Sequence, residues 1–259
     1  MKSALLAGLV RLAVWVYQEI RFRFYYAPIF HRFLNHKFNY YTVLPWQYKI
    51  KFLRMAKRHY EGFEYISRDK LKVTRAMKSI VSSAAAELTL FLPRQSLNFY
   101  HRIVLYTDFY NSSITQRRHK GEVNPGLNTI VFSWRGIEHG LKNKSDGINL
   151  LLHEFAHALW LEQKIVTEYD VFEPYLVTAF EQYAYSEMTR LEGNDKHFFR
   201  AYAFENMEEF FAVAVENFFE RPTEFLQEQP KLYRILAVLF KQDPSQFYAS
   251  SNQQKSVFR

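Results

Sequence analysis

The chain has 259 residues, of which 48% are hydrophobic and 18% aromatic, so it can bury a sizeable core and does not have the composition of a disordered protein. It contains no cysteine, which excludes disulfides and thiolate metal ligands. The formal net charge is +8, and the first 60 residues alone hold eleven lysines and arginines against one acidic residue, Glu19. The basic character therefore belongs to the N-terminal quarter of the chain.

Residues 1–40 form a segment that is first hydrophobic and then basic. Residues 4–17 are apolar apart from Arg11. This run is shorter than a membrane span, which needs about 20 apolar residues, and no small-residue cleavage site follows it, as a signal peptide requires. We expect a helix that packs on the protein body or lies on a membrane surface, with peripheral contact through residues 1–26. In the membrane case, the basic residues after the helix favour the inner, cytoplasmic face.

Basic and aromatic residues alternate between positions 21 and 26, a pattern that can also contact nucleic acid. No helix-turn-helix, zinc-finger or RNA-binding signature accompanies it in the sequence. Direct binding of nucleic acid is therefore not expected.

Residues 41–245 are expected to form one α+β domain, mostly helical, with a small sheet next to the helix that carries the principal motif. Periodic apolar residues predict two helices in its first part, and β-branched and aromatic runs predict two strands. The predicted helices cover residues 45–61 and 70–92, and the predicted strands cover residues 103–106 and 129–134. A polar tail, expected to be frayed, follows over residues 246–259.

The second predicted strand, residues 129–134, leads towards the motif helix and is a candidate for substrate binding. An exposed edge strand can hold an extended peptide by strand addition. The candidate substrate-binding residues are therefore Ile130, Val131, Phe132 and Ser133. An ordinary core strand is the alternative interpretation.

The principal motif is an H-E-x-x-H arrangement formed by His153, Glu154 and His157. On a helix, two histidines four residues apart project from the same face. The arrangement is typical of zinc peptidases, in which the histidines bind the metal and the glutamate takes a proton from a water molecule that the metal activates. Because the flanking residues are apolar, these histidines are expected to be buried and to need polar partners. A structural pair of histidines is the alternative to a metal site.

A catalytic zinc ion usually has three protein ligands, so the motif lacks one. The best source is the predicted helix over residues 206–220, which is largely apolar and yet acidic. Glu209 and Glu216 are seven residues, or two turns, apart and share a face, whereas Glu208 and Glu220 are interpreted as ordinary surface charges. Spacing alone does not choose between Glu209 and Glu216.

An ordered set of motifs resembles the Mlc titration factor A family of zinc peptidases, whose metal site is similar to that of the anthrax lethal factor catalytic domain. The resemblance covers about residue 45 to residue 240. The residues that carry it are Val131–Trp134, Asp146–Gly147, Asn149, the H-E-x-x-H motif, Tyr202, Glu209–Val213 and Glu216–Phe219.

The resemblance implies a zincin-like fold and a zinc metallopeptidase of the gluzincin type, aminopeptidase-like in its activity. It makes Glu209 the third ligand of one Zn²⁺ ion per chain, with His153 and His157, and it places Tyr202 at the oxyanion. Glu216 then becomes a candidate acceptor for a hydrogen bond from a ligand histidine. Glu154 remains the general base.

Two features depart from the family pattern. The family usually has an aspartate three residues after the second histidine, where this chain has Trp160, and this puts one contact around the ligands in doubt. Residues 1–26 lie outside the range of the resemblance.

The expected partners are a peptide or protein substrate and, as a second hypothesis, a transcriptional repressor that a regulatory member of the family would sequester. A cytoplasmic location is expected, with contact at the inner membrane face through residues 1–26. An aminopeptidase needs an acidic group that binds the substrate amine. Glu168, Asp170, Glu173 and Glu181 are the candidates near the motif in sequence, and a solvated acidic surface is the alternative.

Overall fold

The computed structural model describes residues 2–111, 118–143, 146–191 and 197–257. Its helices are α1 (Lys2–Arg21), α2 (Ala27–Lys37), α3 (Asn39–Val43), α4 (Trp46–Gly62), α5 (Arg75–Thr89), α6 (Trp134–Lys142), α7 (Leu150–Ile165), α8 (Pro174–Leu191), α9 (Met207–Glu220), α10 (Pro222–Glu228), α11 (Pro230–Leu239) and α12 (Pro244–Val257). Its strands are β1 (Glu64–Ser67), β2 (Arg102–Tyr106), β3 (Tyr110–Asn111), β4 (Arg118–His119), β5 (Gly121–Asn124) and β6 (Thr129–Ser133). The α+β class, mostly helical with a small sheet, is confirmed.

The main sheet has the strand order β1-β2-β6-β5. The first three strands are parallel, and β5 runs antiparallel to β6. Ile103 of β2 and Ile130 of β6 are register partners and are both fully buried, because helices cover the sheet at this point. The sheet lies against α7, which contacts both β5 and β6.

The prediction that residues 129–134 form an edge strand for substrate is wrong. Strand β6 pairs with β2 on one side and with β5 on the other, so its backbone groups are already used. Ile130 and Phe132 are fully buried, and the Ser133 side chain accepts a hydrogen bond from the Gly136 backbone N–H at 2.9 Å. Of the candidates Ile130, Val131, Phe132 and Ser133, none can offer a free backbone edge. Within the described ranges, β5 is the outer strand on this side.

The two helices predicted in the first half exist, but the second is shorter than predicted. Helix α5 begins after Thr74, whose hydroxyl accepts a hydrogen bond from the Met77 backbone N–H at 3.2 Å. Asp69 and Lys70 adopt positive φ angles of 53° and 60°, which a helix does not allow. The chain therefore turns at these residues before the helix starts.

The predicted frayed tail differs from the structure. Residues 244–257 form α12, and its start packs on the body through the Phe247 ring, 6.2 Å from the Tyr40 ring. The Asn39 side-chain amide donates a hydrogen bond to the Tyr248 hydroxyl at 2.9 Å. Two aromatic residues within a polar composition are enough to dock the beginning of this segment.

Trp160, at the position where the resemblance led us to expect an aspartate, belongs to the core. It has no exposed surface, and its ring lies 4.7 Å from the Phe211 ring and 5.7 Å from the Phe180 ring. The position therefore joins α7 to α8 and α9 by aromatic packing, and it contributes no polar contact to the histidines.

No helix in the described part of the chain is long and apolar enough to cross a membrane. Helix α1 is nevertheless helical over its whole predicted apolar run, and a short π-helical turn, Phe22–Tyr26, connects it to α2.

Candidate metal centre

Two side-chain caps fix the helices that carry the candidate site. The Asn149 side chain accepts hydrogen bonds from the Leu151 and Leu152 backbone N–H groups and starts α7. The Asn206 side chain accepts one from the Glu209 backbone N–H at 2.9 Å and starts α9. With both starts fixed and the two helices packed together, His153 and Glu209 face each other across the contact.

Three donor atoms meet at this contact. The Nε2 atoms of His153 and His157 are 3.1 Å apart. The Oε2 atom of Glu209 lies 3.1 Å from Nε2 of His153 and 3.4 Å from Nε2 of His157. These three residues could hold a metal ion.

The donor set fits zinc in spacing and in chemistry. Ligand atoms about 2.0–2.1 Å from a tetrahedral zinc ion are about 3.3–3.4 Å from one another, close to the separations seen here. The Oε2 atom of Glu209 is buried and has no hydrogen-bond partner among the residues described, which leaves its lone pairs for another ligand. Two imidazoles and one carboxylate are an accepted ligand set of a catalytic zinc site.

Glu216 lies behind His153, on the side opposite the three donor atoms. Its Oε1 atom accepts a hydrogen bond from Nδ1 of His153 at 2.7 Å; when the imidazole is neutral, this bond keeps the ring proton on Nδ1 and leaves Nε2 with a free lone pair. Arg200 and the backbone N–H of Asn149 also donate to this carboxylate, each at 2.6 Å. The carboxylate is 1% exposed, so these donors are what make its burial tolerable.

The charges of this cluster shift the pKa values of its members. Burial lowers the pKa of His153, but Glu216 and Glu209 outweigh it and raise the pKa to about 10. For Glu209, burial opposes ionisation, but the contacts with His153 and His157 hold the pKa of the carboxyl well below its usual range. The carboxylate groups therefore make this a site for a cation.

Glu154 follows His153 on α7, lines the same cleft and packs against Gly121 of strand β5. Glu154 is 6% exposed. Burial raises the pKa of its carboxyl, and this effect outweighs His153 and His157, which lower the pKa. A Cβ atom at Gly121 would overlap the carboxyl group of Glu154, so only glycine allows this approach. No sequence pattern pointed to Gly121, because a glycine in a polar loop is an ordinary turn signal.

Tyr202 lies in a short 3₁₀ turn, Ala201–Phe204, just before α9. It is 40% exposed, and its ring centre is 5.9 Å from that of His153. Burial, followed by the charge of Glu209, raises the pKa of Tyr202 above its usual range, so the hydroxyl keeps its proton. A protonated hydroxyl beside the donor atoms is available as a hydrogen-bond donor.

A cleft of about 450 Å³ opens in front of His153 and Glu154. Its basic lining residues are Arg118, His119, Lys120, His139 and Arg200, and its acidic ones are Glu154 and Glu216. Glu168, Asp170, Glu173 and Glu181 are not among its lining residues; Asp170 accepts a hydrogen bond from Gln163, and Glu173 pairs with Lys241. The structure therefore separates these four acidic candidates from the cleft.

Glu220, interpreted from the sequence as a surface charge, is instead part of the network under α7. Its Oε1 atom accepts a hydrogen bond from the Asn149 side-chain amide at 2.9 Å, and its Oε2 atom is buried without a partner among the described residues. Burial raises the pKa of this carboxyl to about 8. The sequence position of Asn149, just before the motif helix, is typical of a helix cap. No local pattern indicated the roles of Arg200 and Glu220.

Comparison with known proteins shows which family this chain is similar to. The family model described as glucose-regulated metallo-peptidase M90 matches residues 18–241. A protein of Synechocystis sp. described as uncharacterized is 22% identical over 84% of this chain and 85% of its own length. Mlc titration factor A of Edwardsiella ictaluri is 26% identical over 76% of this chain and 81% of its own. Mlc titration factor A of Pectobacterium atrosepticum is 32% identical over 44% and 45%.

These matches confirm the resemblance to Mlc titration factor A and correct its range. The family match begins at residue 18, so the expectation that residues 1–26 lie outside it is wrong for residues 18–26. The matched range contains all residues of the candidate centre, from His153 to Glu216.

The third donor can be tested by metal binding. Glu209→Ala is expected to lose tight zinc binding, because it removes one of three donor atoms. Glu216→Ala is expected to weaken zinc binding by about 10–100-fold while keeping one site per chain, because Glu216 orients a histidine without reaching the donor cluster. Elemental analysis gives the stoichiometry, and competition with a chelating indicator gives the dissociation constants.

Glu208→Ala is the matched control, since Glu208 is the half-buried neighbour on the same turn, and its carboxylate lies 3.6 Å from Nζ of Lys164. It should bind zinc as the wild type does. Tight zinc binding by Glu209→Ala would remove Glu209 from the ligand set.

The pKa of Glu220 predicts how stability depends on pH. Because its folded pKa of about 8 lies above its ordinary value of 4.5, the folded state binds more protons than the unfolded state between these values. The free energy of unfolding should therefore fall as pH rises through this window, by at most about 1.4 kcal/mol per pH unit. Glu220→Gln keeps an acceptor for Asn149 and should flatten this dependence and raise stability at pH 8.

Urea unfolding of the metal-free protein at several pH values measures this effect. Glu228→Gln, a change of an exposed glutamate in α10, should leave the wild-type slope unchanged. A wild-type slope in Glu220→Gln would show that this carboxyl does not titrate in the window.

Proposed function

We propose that this chain, which belongs to the glucose-regulated metallo-peptidase M90 family, is a zinc-dependent metallopeptidase that hydrolyses peptide bonds. The observation that carries the proposal is the meeting of three donor atoms, from His153, His157 and Glu209, next to the buried carboxyl of Glu154. Two histidines from one helix and a glutamate from a second helix correspond to a gluzincin. One zinc ion per chain would occupy this cluster.

His153, His157 and Glu209 would hold the ion, and Glu216 would orient His153. A bound zinc ion supplies Lewis acidity, which polarises a carbonyl group and lowers the pKa of water to about 7. Zinc is preferred to magnesium or calcium because two of the three donors are imidazole nitrogens, and those ions prefer oxygen ligands.

Glu154 is proposed as the general base and then the general acid. It accepts a proton from the attacking water as the new C–O bond forms at the carbonyl carbon. It then delivers this proton to the amide nitrogen as the C–N bond breaks, which yields a carboxylic acid and an amine. The raised pKa of this buried carboxyl suits a group that must hold a proton between the two steps.

Tyr202 is proposed to donate a hydrogen bond to the oxyanion of the tetrahedral intermediate. Its protonated hydroxyl and its partial exposure beside His153 support this role. Strand β5, rather than β6, is the candidate for holding an extended substrate, because its outer edge runs past Gly121, against which Glu154 packs.

The type of peptidase is the finer part of the proposal. The family resemblance favours aminopeptidase-like cleavage, which needs an acidic group for the substrate amine. The cleft contains Arg118 and Lys120 near its strand side, and its two acidic lining residues are Glu154 and Glu216, which have the roles just described. These charges favour substrates with carboxylate groups over substrates that are held by a terminal amine.

A second candidate function is regulatory binding of a transcriptional repressor in the cytoplasm. The observation that favours it is the name of the relatives called Mlc titration factor A, one of which matches 76% of this chain. Binding of a repressor would not need Glu154, whereas hydrolysis would. The two candidates therefore respond differently to changes at Glu154.

Glu154→Gln is expected to keep zinc and lose at least about 100-fold in peptidase rate, because the amide cannot accept the proton. Tyr202→Phe should keep zinc and lose about 10²–10³-fold in kcat, because one donor to the oxyanion is removed. His157→Ala should lose both metal and activity. Zinc content and turnover of a quenched fluorescent peptide library measure these effects.

Tyr185→Phe is the matched control for Tyr202→Phe, since Tyr185 is an exposed tyrosine on α8. It should behave as the wild type. Full activity of Glu154→Gln would refute the assignment of the base, and absence of zinc and turnover in the wild type, with repressor binding, would favour the regulatory function.

The mode of cleavage is tested with three matched peptides of one sequence: one with free ends, one acetylated at its amino end and one with its acidic residues changed to amides. If the cleft selects carboxylates, acetylation should change kcat/KM little and amidation should lower it by at least about tenfold, the effect of roughly 1.4 kcal/mol. Lys120→Gln should reduce the preference for the acidic peptide. Loss of cleavage on acetylation would instead establish the aminopeptidase mode.

A further inference from the structure

Helix α1 exposes large apolar side chains on the protein surface. Leu9, Leu12, Trp15, Tyr17 and Ile20 are each between 53% and 63% exposed. Glu19 of this helix forms an ion pair with Arg54 of α4, which ties its C-terminal end to the body. An exposed apolar surface of this kind marks an interaction site, since water makes it costly to leave uncovered.

The exposed apolar residues lie on every side of α1. At 3.6 residues per turn, the positions of the exposed large hydrophobic residues between Leu9 and Ile20 are distributed around the whole helix circumference. A helix that is apolar all round is suited to a surrounding apolar medium, whereas one partner surface covers a single stripe.

The apolar run has the length of a helix that enters one side of a bilayer. Residues 4–17 extend over about 21 Å, at about 1.5 Å per residue, whereas the hydrocarbon core of a bilayer is about 30 Å thick. This agrees with the finding that no described helix could span a membrane. The single charge in the run, Arg11, has a side chain long enough to reach the head-group layer.

A basic cavity of about 670 Å³ lies between α1 and α4. It is lined by five cationic residues, Arg21, Arg54, Lys57, Arg58 and Arg94, and by two acidic ones, Glu19 and Glu61.

Ion pairs account for only part of this charge. The two acidic residues pair with Arg54 and Lys57. Within the described part of the chain, Arg21, Arg58 and Arg94 form no ion pair with a carboxylate. Arg21 and Arg58 donate hydrogen bonds to neutral groups, the Tyr26 hydroxyl and the Asn98 side chain, and so keep their full positive charge. Three guanidinium groups in one concave site are suited to phosphate.

Two aromatic residues connect the two features. Trp15 of α1 and Phe22 of the π-helical turn line the cavity, and Trp15 is also 61% exposed. Tryptophan is enriched at the level of lipid head groups, where one part of its ring is in an apolar layer and its N–H is in a polar one. The apolar helix thus corresponds to the acyl layer of a membrane, and the cations next to it correspond to the layer of phosphate head groups.

We propose that α1 and the basic cavity between α1 and α4 form a docking surface for a bilayer that contains anionic phospholipid. Helix α1 enters the acyl layer of one leaflet, and Arg21, Arg58 and Arg94 bind the phosphate groups of lipids at its border. The exposed part of α1 before residue 18 precedes the region that the family model matches, and the cationic residues of the cavity lie inside that region.

The proposal is tested by flotation of the full chain with vesicles of phosphatidylcholine alone and of phosphatidylcholine mixed with phosphatidylglycerol. Binding to the mixed vesicles should be at least tenfold tighter and should weaken as salt is added. Leu12→Glu should abolish flotation. Arg94→Ala should weaken it about fivefold, the effect of roughly one basic residue at an anionic surface.

Matched controls keep the test specific. Val238→Glu places the same charge at an exposed apolar site on α11, and Arg234→Ala removes a cation from the same helix. Both variants should float as the wild type does. Circular dichroism and thermal unfolding of Leu12→Glu should match the wild type, because Leu12 is 56% exposed.

Four results would overturn the proposal. They are equal binding to both vesicle types, no binding to either, full displacement from vesicles by millimolar inorganic phosphate, and a concentration-dependent dimer that Leu12→Glu dissociates. The third result would make the cavity a site for free phosphate, and the fourth would make α1 an interface between copies of this chain.

Discussion

The candidate site depends on one buried carboxylate, Glu216. A carboxylate with almost no exposure is stable only if its lone pairs are satisfied, and here His153, Arg200 and the Asn149 backbone satisfy them. These donors come from different segments of the chain. The carboxylate therefore connects the cap of α7, the segment before α9 and the His153 ring. A change in any of these segments would alter the position of Nε2 of His153.

The loop before α7 shows how closely this arrangement is fixed. Gly147 has a φ of 71°, and a Cβ there would overlap the Asn217 side chain of α9. Its carbonyl accepts a hydrogen bond from Arg200 at 2.8 Å, so the same guanidinium group holds both the loop and Glu216. Asn149 then follows as the helix cap. The position of the motif histidines thus depends on residues outside α7, namely Gly147, Arg200 and Asn217.

The elements that depend on local sequence patterns could be predicted from the sequence. The spacing of His153 and His157, the apolar flanks and the acidic helix over residues 206–220 all predicted elements that the structure contains. Spacing could not separate Glu209 from Glu216, because both lie on one face. The structure puts Glu209 in the first turn, opposite Nε2, and Glu216 two turns later, opposite Nδ1. The edge-strand prediction failed because strand order depends on pairing with β2, which is distant in sequence, and the short β5 has few residues typical of strands.

The distribution of charge divides the molecule into two functional regions. Carboxyl groups concentrate where α7 meets α9, and their negative charge favours a bound divalent cation. Cations concentrate around α1 and α4, where an anionic surface would be bound. Arg118, Lys120 and Arg200 are cations of the cleft beside the centre, and the guanidinium group of Arg200 contacts Glu216 on the far side of His153, away from Oε2 of Glu209. Its positive charge therefore stabilises the carboxylate that orients the histidine while leaving the three donor atoms to a metal.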